Sequence, residues 1–276
     1  MTDEAGGGSA ERYAFGYEQG VQSYLQLHTV ERCAEFMLPY LESGMSVLDA
    51  GCGPGTITVG LAPIVAPGRL VGVDVSPEEV AKASAALSAA GLDNGQVEVA
   101  DVLELPFADA SFDAVFSHAT LDYLIEPAAA VGEFFRVLKP GGVIGLRSVN
   151  NDLSVVGPYD AAIDEGLTLF RRAVASLGGD VTRGRLLGGM LKDAGFERIF
   201  TSPSYERARS REEWQSFCEA FAAALDHTRI SEICIREGWV DEGRLAEIVS
   251  AFKRFGTDTA NCFALAWGEA VGFKPA

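Results

Sequence analysis

The sequence predicts an α/β fold, with a doubly wound, mostly parallel sheet and helices on both of its faces. Between residues 44 and 150, short runs rich in Val, Ile and Leu alternate with helical stretches. Such runs are typical of parallel strands that are buried on both faces. A glycine-rich turn at residues 51–55 ends the first run, at the edge where sheets of this kind bind ligands. The length of 276 residues suits one large domain with insertions.

The elements of this core alternate between strand and helix. The helix after the second strand has the clearest boundaries, because Ser76 can cap it, Pro77 suits its first turn and Gly91 can end it. The predicted strands are residues 46–50, 69–75, 96–100, 112–117 and 142–149, and the predicted helices are residues 56–65, 77–90 and 127–138.

Helical stretches flank the core on both sides. Before it, apolar residues at i, i+3 and i+4 spacing predict a helical segment with one apolar face over about residues 10–41. Beyond residue 150 the regular alternation of strands and helices is lost. There we predict helices over residues 159–177, 183–194 and most of 211–255, and strands over residues 198–205 and 262–271.

These patterns divide the chain into three parts. The helical stretches after residue 150 interrupt the order of the strands, so we interpret them as insertions that form a cap over the sheet. The parts are an N-terminal helical segment (1–43), a ligand-binding core (44–150) and the remainder of the sheet with the cap (151–276), in which the cap takes about 151–179 and 210–258.

Composition excludes several classes of partner. With 22 Lys and Arg against 39 Asp and Glu, the net charge is −17, and such a surface repels phosphate backbones, so we expect no nucleic-acid partner. The five cysteines are widely spaced, which predicts neither a metal site nor a disulfide framework. Residues 1–10 are polar and Gly-rich, and no apolar stretch reaches membrane-spanning length, so we expect neither a targeting segment nor a membrane span. We expect a cytoplasmic protein with a small-molecule partner, as a monomer or a homodimer.

Three carboxylates stand at the ends of predicted strands, around the glycine loop. Asp49 precedes the loop, Asp74 closes the second strand and Asp101 follows the third. A carboxylate can accept hydrogen bonds from both hydroxyls of a ribose, and another can accept one from the exocyclic amine of adenine. An acidic loop also suits a cation. S-adenosylmethionine carries a ribose, an adenine amine and a positive charge, and so fits this set.

A dinucleotide site is the competing interpretation. Its fingerprint, G-x-G-x-x-G/A, needs Gly or Ala three residues after Gly53, where this chain has Thr56. Asp49 would also lie close to a pyrophosphate and repel it. A nicotinamide-dependent oxidoreductase is therefore disfavoured but stays open, as does a tight turn without any ligand.

The motifs of the core resemble those of a known family. Residues 47–56 (VLDAGCGPGT) resemble the first motif of class I S-adenosylmethionine-dependent methyltransferases, and residues 72–76 (GVDVS) the motif that closes their second strand. Later segments are similar to the small-molecule branch that includes the ubiquinone and menaquinone biosynthesis methyltransferases, also described as methyltransferase domain type 11. These segments are residues 101–107, 111–115, 136–142, 179–180, 184–185 and 191–196.

The resemblance implies a seven-stranded sheet with an antiparallel last strand, and it implies which residues bind the coenzyme. Gly51 and Gly53 would contact the methionine part, Asp74 the ribose and Asp101 the adenine. The full predicted set is Tyr17, Asp49, Gly51, Gly53, Gly55, Asp74, Val75, Asp101, Val102, Ser117 and His118.

The resemblance also predicts a lid at the N-terminus. In related enzymes a similar segment folds over the coenzyme, so residues 1–43 are expected to do so here. Some members carry a basic residue in the helix that follows, which would be His28 or Arg32 in this chain. The residues that match the lid are Tyr13, Gly16 and Tyr17.

Methyl transfer from a sulfonium is an in-line displacement, for which alignment and exclusion of water supply much of the acceleration. A general base helps where the acceptor is a hydroxyl or an acidic carbon. The candidate is His118, directly after the fourth strand. Tyr123, Tyr159, Arg147 and Asn150 are predicted to line the acceptor side.

The aromatic and apolar residues of the cap favour an apolar or aromatic metabolite as the methyl acceptor, with O, N or C as the acceptor atom. We expect a role in biosynthesis, specifically in specialised metabolism. The expected coenzyme product is S-adenosyl-L-homocysteine. An alternative from another class is a methyltransferase-like protein that keeps S-adenosylmethionine as a structural cofactor. It would catalyse a non-methylating reaction such as a cyclisation.

Overall fold

A single sheet organises the molecule. The computed structural model describes residues 24–258 and 260–276, and within these residues the sheet has eight strands. They are β1 (Val47–Ala50), β2 (Leu70–Asp74), β3 (Gly95–Val99), β4 (Phe112–His118), β5 (Leu138–Val149), β6 (Val155–Gly157), β7 (Glu197–Arg207) and β8 (Cys262–Phe273).

The strand order confirms the predicted doubly wound architecture. Strands β1 to β5 are parallel and lie in the order β3-β2-β1-β4-β5. Strand β8 is antiparallel to its neighbours and pairs with β5 and β6 on one edge and with β7 on the other. From β1 the chain adds β2 and β3 on one side of the sheet and then β4 and β5 on the other. The connections that follow β1 and β4 therefore lie on opposite faces and leave a crevice at the carboxyl ends of these two strands.

Helices cover both faces of the sheet. Val47, Leu70 and Phe116 pack with helices on one face, whereas Leu48 and Val115 pack with helices on the other. The helices are α1 (Val30–Cys33), α2 (Thr56–Val65), α3 (Pro77–Ala89), α4 (Pro127–Val137), α5 (Ala161–Ser176), α6 (Leu187–Asp193), α7 (Arg211–Ala224), α8 (Arg229–Arg236) and α9 (Glu242–Thr257).

The helical segment predicted over residues 10–41 is interrupted by turns in the part that the structure describes. There Tyr24 and Leu25 are helical, and after a turn the segment forms the short α1 and a 3₁₀ turn at Leu38–Tyr40. Pro39 has no N–H to donate, and the hydrogen bonds after it are of the i→i−3 type, from Tyr40 to Met37 and from Leu41 to Leu38. The apolar side chains are nevertheless buried, and Val30 lies so close to α2 that a Cβ at Gly60 would overlap it. The spacing of the apolar residues thus indicated that they are buried, but short turns can bury them as well as a continuous helix can.

Two details after residue 150 also correct the sequence analysis. All seven predicted strands are present, but β6 is an additional three-residue strand within the segment interpreted as helical cap. A strand this short leaves too few residues for an alternating pattern to show. The helix predicted over 183–194 begins with a 3₁₀ turn at Arg183–Leu186 before α6.

The cap has an apolar core of its own. Helices α5, α7, α8 and α9 bury a cluster of aromatic residues, which continues onto the sheet through Val149 and Trp267. The predicted division of the chain into three parts stays a prediction. Among the described residues, no helix combines the length and hydropathy needed to cross a membrane.

Candidate functional site

A cavity opens at the carboxyl ends of β1, β2, β3 and β4, where the strand order predicts a ligand. The glycine loop after β1 forms one wall, and the segment after β4 forms another. Its lining includes residues 51–54, 74–75, 100–102 and 118–120, together with Leu25, His28, Asp49, Thr56, Ile57, Glu79, Tyr123 and Leu124.

The glycine loop needs its glycines for two different reasons. Gly51 has φ +83°, and a Cβ there would overlap the side chain of Thr120. Gly53 has φ +51° and open space where a Cβ would be, so its backbone is accessible to a ligand. Gly55, predicted as a coenzyme contact, does not line the cavity, because it packs closely on Ala83 of α3.

Asp74 connects the glycine loop to the next helix. Its Oδ2 accepts a hydrogen bond from the N–H of Gly53 (2.9 Å) and its Oδ1 accepts one from the N–H of Ser76 (2.9 Å). Burial raises the pKa of Asp74, and these N–H groups partly offset that effect. Each carboxylate oxygen keeps a further lone pair that can accept a hydrogen bond from a hydroxyl.

The other two carboxylates also line the cavity. Asp49 is buried, and its Oδ2 accepts a hydrogen bond from the hydroxyl of Thr58 (2.7 Å). Burial raises the pKa of Asp49 to about 7, and nearby Asp74 adds to the rise, whereas Thr58 opposes it. Asp101 accepts a hydrogen bond from the N–H of Leu103 (2.9 Å). We call Asp49, Asp74 and Asp101 the acidic edge.

The end of β4 is fastened to β1. Ser117 donates a hydrogen bond to the carbonyl of Ala50 (2.7 Å), and Thr120 donates one to the same oxygen (3.2 Å). Ser117 is buried and does not line the cavity. Its predicted contact with the coenzyme stays a prediction, and its observed contact is between strands.

His118 lines the cavity, but both of its ring nitrogens face other side chains. Nε2 lies 3.4 Å from Nδ1 of His28, and Nδ1 lies 3.5 Å from a guanidinium nitrogen of Arg147. The ring also packs on Trp267, with 4.7 Å between ring centroids. Burial, then Arg147 and His28, lower the pKa of His118 well below its ordinary value, so the imidazole is neutral. A general base needs a ring nitrogen that faces the acceptor. Both ring nitrogens of His118 face protein side chains instead, so this geometry does not support His118 as a general base.

Glu206 on β7 was not predicted, and it lies at the other end of the same cluster. It accepts hydrogen bonds from the hydroxyl of Tyr24 (2.9 Å) and from Nε1 of Trp267 (3.1 Å), and Nε2 of His28 lies 3.4 Å away. Burial by itself would raise the pKa of Glu206, but His28, Arg147 and Tyr24 together lower it to about 2. No motif contains this residue, so no local signal in the sequence points to it.

Three potential metal ligands also come together here. Ligand atoms of His28, Cys33 and His118 lie within 4.8 Å of one another. A metal needs the thiolate form of cysteine, whereas burial raises the pKa of Cys33 to about 12. The guanidinium of Arg147 beside His118 would repel a cation. We therefore assign no metal role to this group.

The four residues predicted for the acceptor side lie in different environments. Tyr123 lines the cavity. Arg147 is buried behind His118, with its guanidinium 4.1 Å from the ring centre of Trp267. Asn150 is buried, and its N–H donates to a backbone carbonyl of β8. Tyr159 is 76% exposed and does not line the cavity. The predicted contacts Tyr13, Gly16 and Tyr17 lie outside the described residues.

A glycine loop and three carboxylates around a cavity, at the carboxyl ends of a doubly wound sheet, define an α/β domain suited to an adenosyl ligand. The chain belongs to the family described as "Methyltransferase domain", which matches residues 41–195. Its coenzyme is S-adenosyl-L-methionine. This finding confirms the resemblance to class I methyltransferases and leaves the nicotinamide-dependent alternative without support.

Relatives include proteins with different described activities. An uncharacterized methyltransferase of Schizosaccharomyces pombe is 32% identical over 268 residues, which are 92% of this chain and 95% of that protein. A probable methyltransferase of Aspergillus luteorubrus is 38% identical over 51% of this chain and 52% of its own length. A protein of Neonectria described as an S-adenosyl-L-methionine-dependent Diels-Alderase is 32% identical over 63% of this chain and 67% of its own length.

Solved structures share the fold. The crystal structure of the cyclase SpnF matches 96% of this chain and 86% of its own, with a TM-score of 0.55 and 25% identity. The YcgJ protein of a Bacillus matches 88% of this chain and 97% of its own, with a TM-score of 0.57. At 20% identity the second match concerns the fold alone.

Proposed function

We propose that this protein transfers the methyl group of S-adenosyl-L-methionine to a small, apolar or aromatic metabolite and releases S-adenosyl-L-homocysteine. The observation that carries the proposal is the acidic edge, which surrounds one cavity together with the glycine loop. Its carboxylates suit a ligand with ribose hydroxyls, an adenine amine and a cationic group.

The proposed position of the coenzyme follows from these contacts. The methionine part lies along Gly51 and Gly53, where the backbone leaves open space at Gly53. The ribose lies at Asp74, whose remaining lone pairs accept both hydroxyls. The adenine lies at Asp101, next to Val102 and Val75 on the cavity wall.

In this arrangement the protein accelerates the reaction mainly by alignment. The transferring methyl group would face the segment after β4, where buried side chains exclude water. We propose that His118 forms the wall of this region with its neutral ring, since both ring nitrogens contact other side chains. An acceptor that is nucleophilic without deprotonation, such as an amine, a thiolate or a carboxylate, is therefore favoured.

The proposed apolar character of the acceptor rests on the cap. Its aromatic cluster meets the sheet at Val149 and Trp267, and Trp267 contacts His118 at the edge of the cavity. An acceptor that enters from the cap side would therefore meet apolar and aromatic surface. Tyr123, which lines the cavity, is the predicted acceptor contact that this geometry supports best.

A second candidate is favoured by the comparisons. SpnF, a cyclase, matches this chain over nearly its whole length, and a relative is described as a Diels-Alderase that depends on S-adenosyl-L-methionine. In this function the coenzyme would stay bound and unconsumed, and its charge and shape would position a different substrate.

Ligand binding and methyl consumption test the two candidates. We expect S-adenosyl-L-homocysteine to raise the melting temperature and NADH to leave it unchanged, because binding to the native state stabilises it. Formation of S-adenosyl-L-homocysteine is then measured by mass spectrometry with a panel of phenols, amines and carboxylic acids. A thermal shift with NADH alone would contradict both candidates, whereas product formation without S-adenosyl-L-homocysteine would support the second.

A further inference from the structure

Four side chains form a continuous line beneath the coenzyme cavity. Glu206 faces Nε2 of His28 at 3.4 Å, and Nδ1 of His28 faces Nε2 of His118 at 3.4 Å. Nδ1 of His118 faces the guanidinium of Arg147 at 3.5 Å. All four residues come from different parts of the chain. We call them the histidine chain.

The two ends of the histidine chain fix the position of every hydrogen in it. Oε1 of Glu206 lies 3.4 Å from Nε2 of His28, at ion-pair distance but without the geometry of a hydrogen bond, and a carboxylate there favours a hydrogen on that nitrogen. Arg147 can only donate, so Nδ1 of His118 must accept, and its hydrogen sits on Nε2. Nδ1 of His28 then accepts that hydrogen. Both rings then carry a hydrogen on Nε2, and each of the two contacts of His118 pairs one donor with one acceptor.

We infer that Glu206 is a positioning residue, which acts through His28 to hold His118 as the Nε2–H tautomer and to keep both rings against the coenzyme cavity. Glu206 does not line the cavity, whereas His28 and His118 do. Through Tyr24 it also fixes the segment that carries Leu25, another cavity residue. Coupling to the coenzyme rests on the proposed function, whereas the tautomers do not.

The groups around the histidine chain are compatible with this assignment. Burial raises the pKa of Tyr24 and of Cys33, so both stay neutral, and the hydroxyl of Tyr24 donates to Glu206. Glu269 lies 3.4 Å from Nε of Arg147, which is a different guanidinium nitrogen from the one that faces His118. Adding a proton to Nδ1 of His28 would reverse the tautomer of His118 and set an N–H against the Arg147 guanidinium.

Nitrogen NMR of the histidine rings tests the assignment directly. The chain has three histidines, and the side chain of the third, His227, is 98% exposed and serves as the internal reference. Protonated and unprotonated ring nitrogens have well separated ¹⁵N shifts. In the full-length protein near neutral pH, we expect both His28 and His118 to show a protonated Nε2 and an unprotonated Nδ1.

Glu206→Gln is the diagnostic variant, because it keeps the size of the side chain and changes one acceptor into a donor. Tyr24 and Trp267 both donate to Oε2 and retain the amide oxygen there, so the amide nitrogen faces His28. We expect the hydrogen of His28 to move to Nδ1. The affinity for S-adenosyl-L-homocysteine should fall about tenfold, because the rings of His28 and His118, which line the cavity, lose the contact that orients them.

Glu213→Gln is the matched control. Glu213 also fixes the N-terminal segment to the cap, through Arg32 at 2.7 Å, but it touches neither histidine. A purely structural role of Glu206 would predict the same result for both variants. We expect unchanged tautomers and less than a threefold change in affinity for Glu213→Gln.

Several outcomes would overturn the inference. A protonated Nδ1 on the ring of His28 or His118 in the parent protein would overturn it, and this measurement does not require Glu206→Gln to fold. So would unchanged tautomers in Glu206→Gln, or stoichiometric zinc in the purified parent, since His28 and His118 would then be ligands. A parent protein that does not bind S-adenosyl-L-homocysteine contradicts the proposed function instead, and the tautomers still test the histidine chain.

Discussion

The acidic edge and the histidine chain meet at one cavity, but they are built from contacts of very different range. At the acidic edge, Asp74 bonds to Gly53 and Ser76, which are 21 and 2 residues away, and Asp101 bonds to Leu103. In the histidine chain, His118 contacts His28 across 90 residues, and Tyr24 contacts Glu206 across 182. The first region can be encoded in short motifs, whereas the second exists only once the sheet has closed.

Their energetic roles differ as well. Asp74 and Asp101 accept hydrogen bonds from backbone N–H groups, Asp49 accepts one from the hydroxyl of Thr58, and all three carboxylates line the cavity. Groups of the histidine chain contact one another and are buried, although Nε2 of His28 and Nε of Arg147 have no hydrogen-bond partner among the described residues. We therefore expect damage to the histidine chain to cost stability first, and damage to the acidic edge to cost coenzyme affinity first.

The largest effect is expected for Arg147→Met. Arg147 is 2% exposed and contacts His118, Trp267 and Glu269. Removing one member of a buried charged network costs about 3–5 kcal/mol in free energy of unfolding, measured by urea denaturation. Arg171→Met is the control, because its ion pair with Asp152 is partly exposed and should cost less than about 1 kcal/mol. Equal losses in free energy of unfolding in both variants would mean that the histidine chain contributes no more to stability than an ion pair at the surface.

For the acidic edge, Asp74→Ala should leave the fold intact and weaken binding of S-adenosyl-L-homocysteine. Hydrogen bonds to a charged group are worth about 1.5–3 kcal/mol, so the affinity should fall about ten- to hundredfold. Asp74→Asn keeps one acceptor oxygen and should lose less. Calorimetric titration measures the affinity and circular dichroism checks folding. An unchanged affinity in Asp74→Ala would mean that the ribose binds elsewhere.

A pH dependence should separate the two regions further. Burial raises the pKa of Asp49 to about 7, so Asp49 is protonated at low pH, and its neutral form adds stability that is lost as the pH rises toward 7. A coenzyme with a cationic group favours the ionised form. Binding of S-adenosyl-L-homocysteine should therefore strengthen as the pH rises to about 7, by at most about tenfold per pH unit, and level off above. Asp49→Asn should abolish this pH dependence. If the affinity of that variant changed with pH as steeply as that of the parent protein, another titrating group would be responsible.

Ser117→Ala should give the smallest effect and sharpen the boundary between the regions. Its hydroxyl bonds to Ala50 and does not line the cavity. Loss of this buried hydrogen bond should cost about 1 kcal/mol of stability, with coenzyme affinity changed less than about threefold. Ser111→Ala, which removes a similar bond at an exposed site, is the control. A tenfold loss of affinity would restore Ser117 as a coenzyme contact.

Elements with local signals were predicted closely. For α3, Ser76 caps the helix by accepting from the N–H of Glu79, and Pro77 starts it as the sequence indicates. By contrast, the helix predicted before the core is interrupted in the structure. The spacing of Val30 and Met37 indicates that they are buried, but it does not determine the backbone path that buries them. The exposure of Tyr159 likewise depends on where the cap turns, which spacing does not encode.

By itself, the sequence determined the alternation of strands and helices, the glycine loop and the acidic edge. Each of these depends on residues a few positions apart, or on the rule that parallel strands end at a common edge. Only the tertiary structure decided that β8 inserts between β5 and β7. That arrangement brings Arg147, Trp267 and Glu206 onto neighbouring strands, beneath the segment that carries His28. Strand order and register are set by packing across the whole sheet, and so no local pattern could place Glu206 against a histidine 178 residues earlier in the chain.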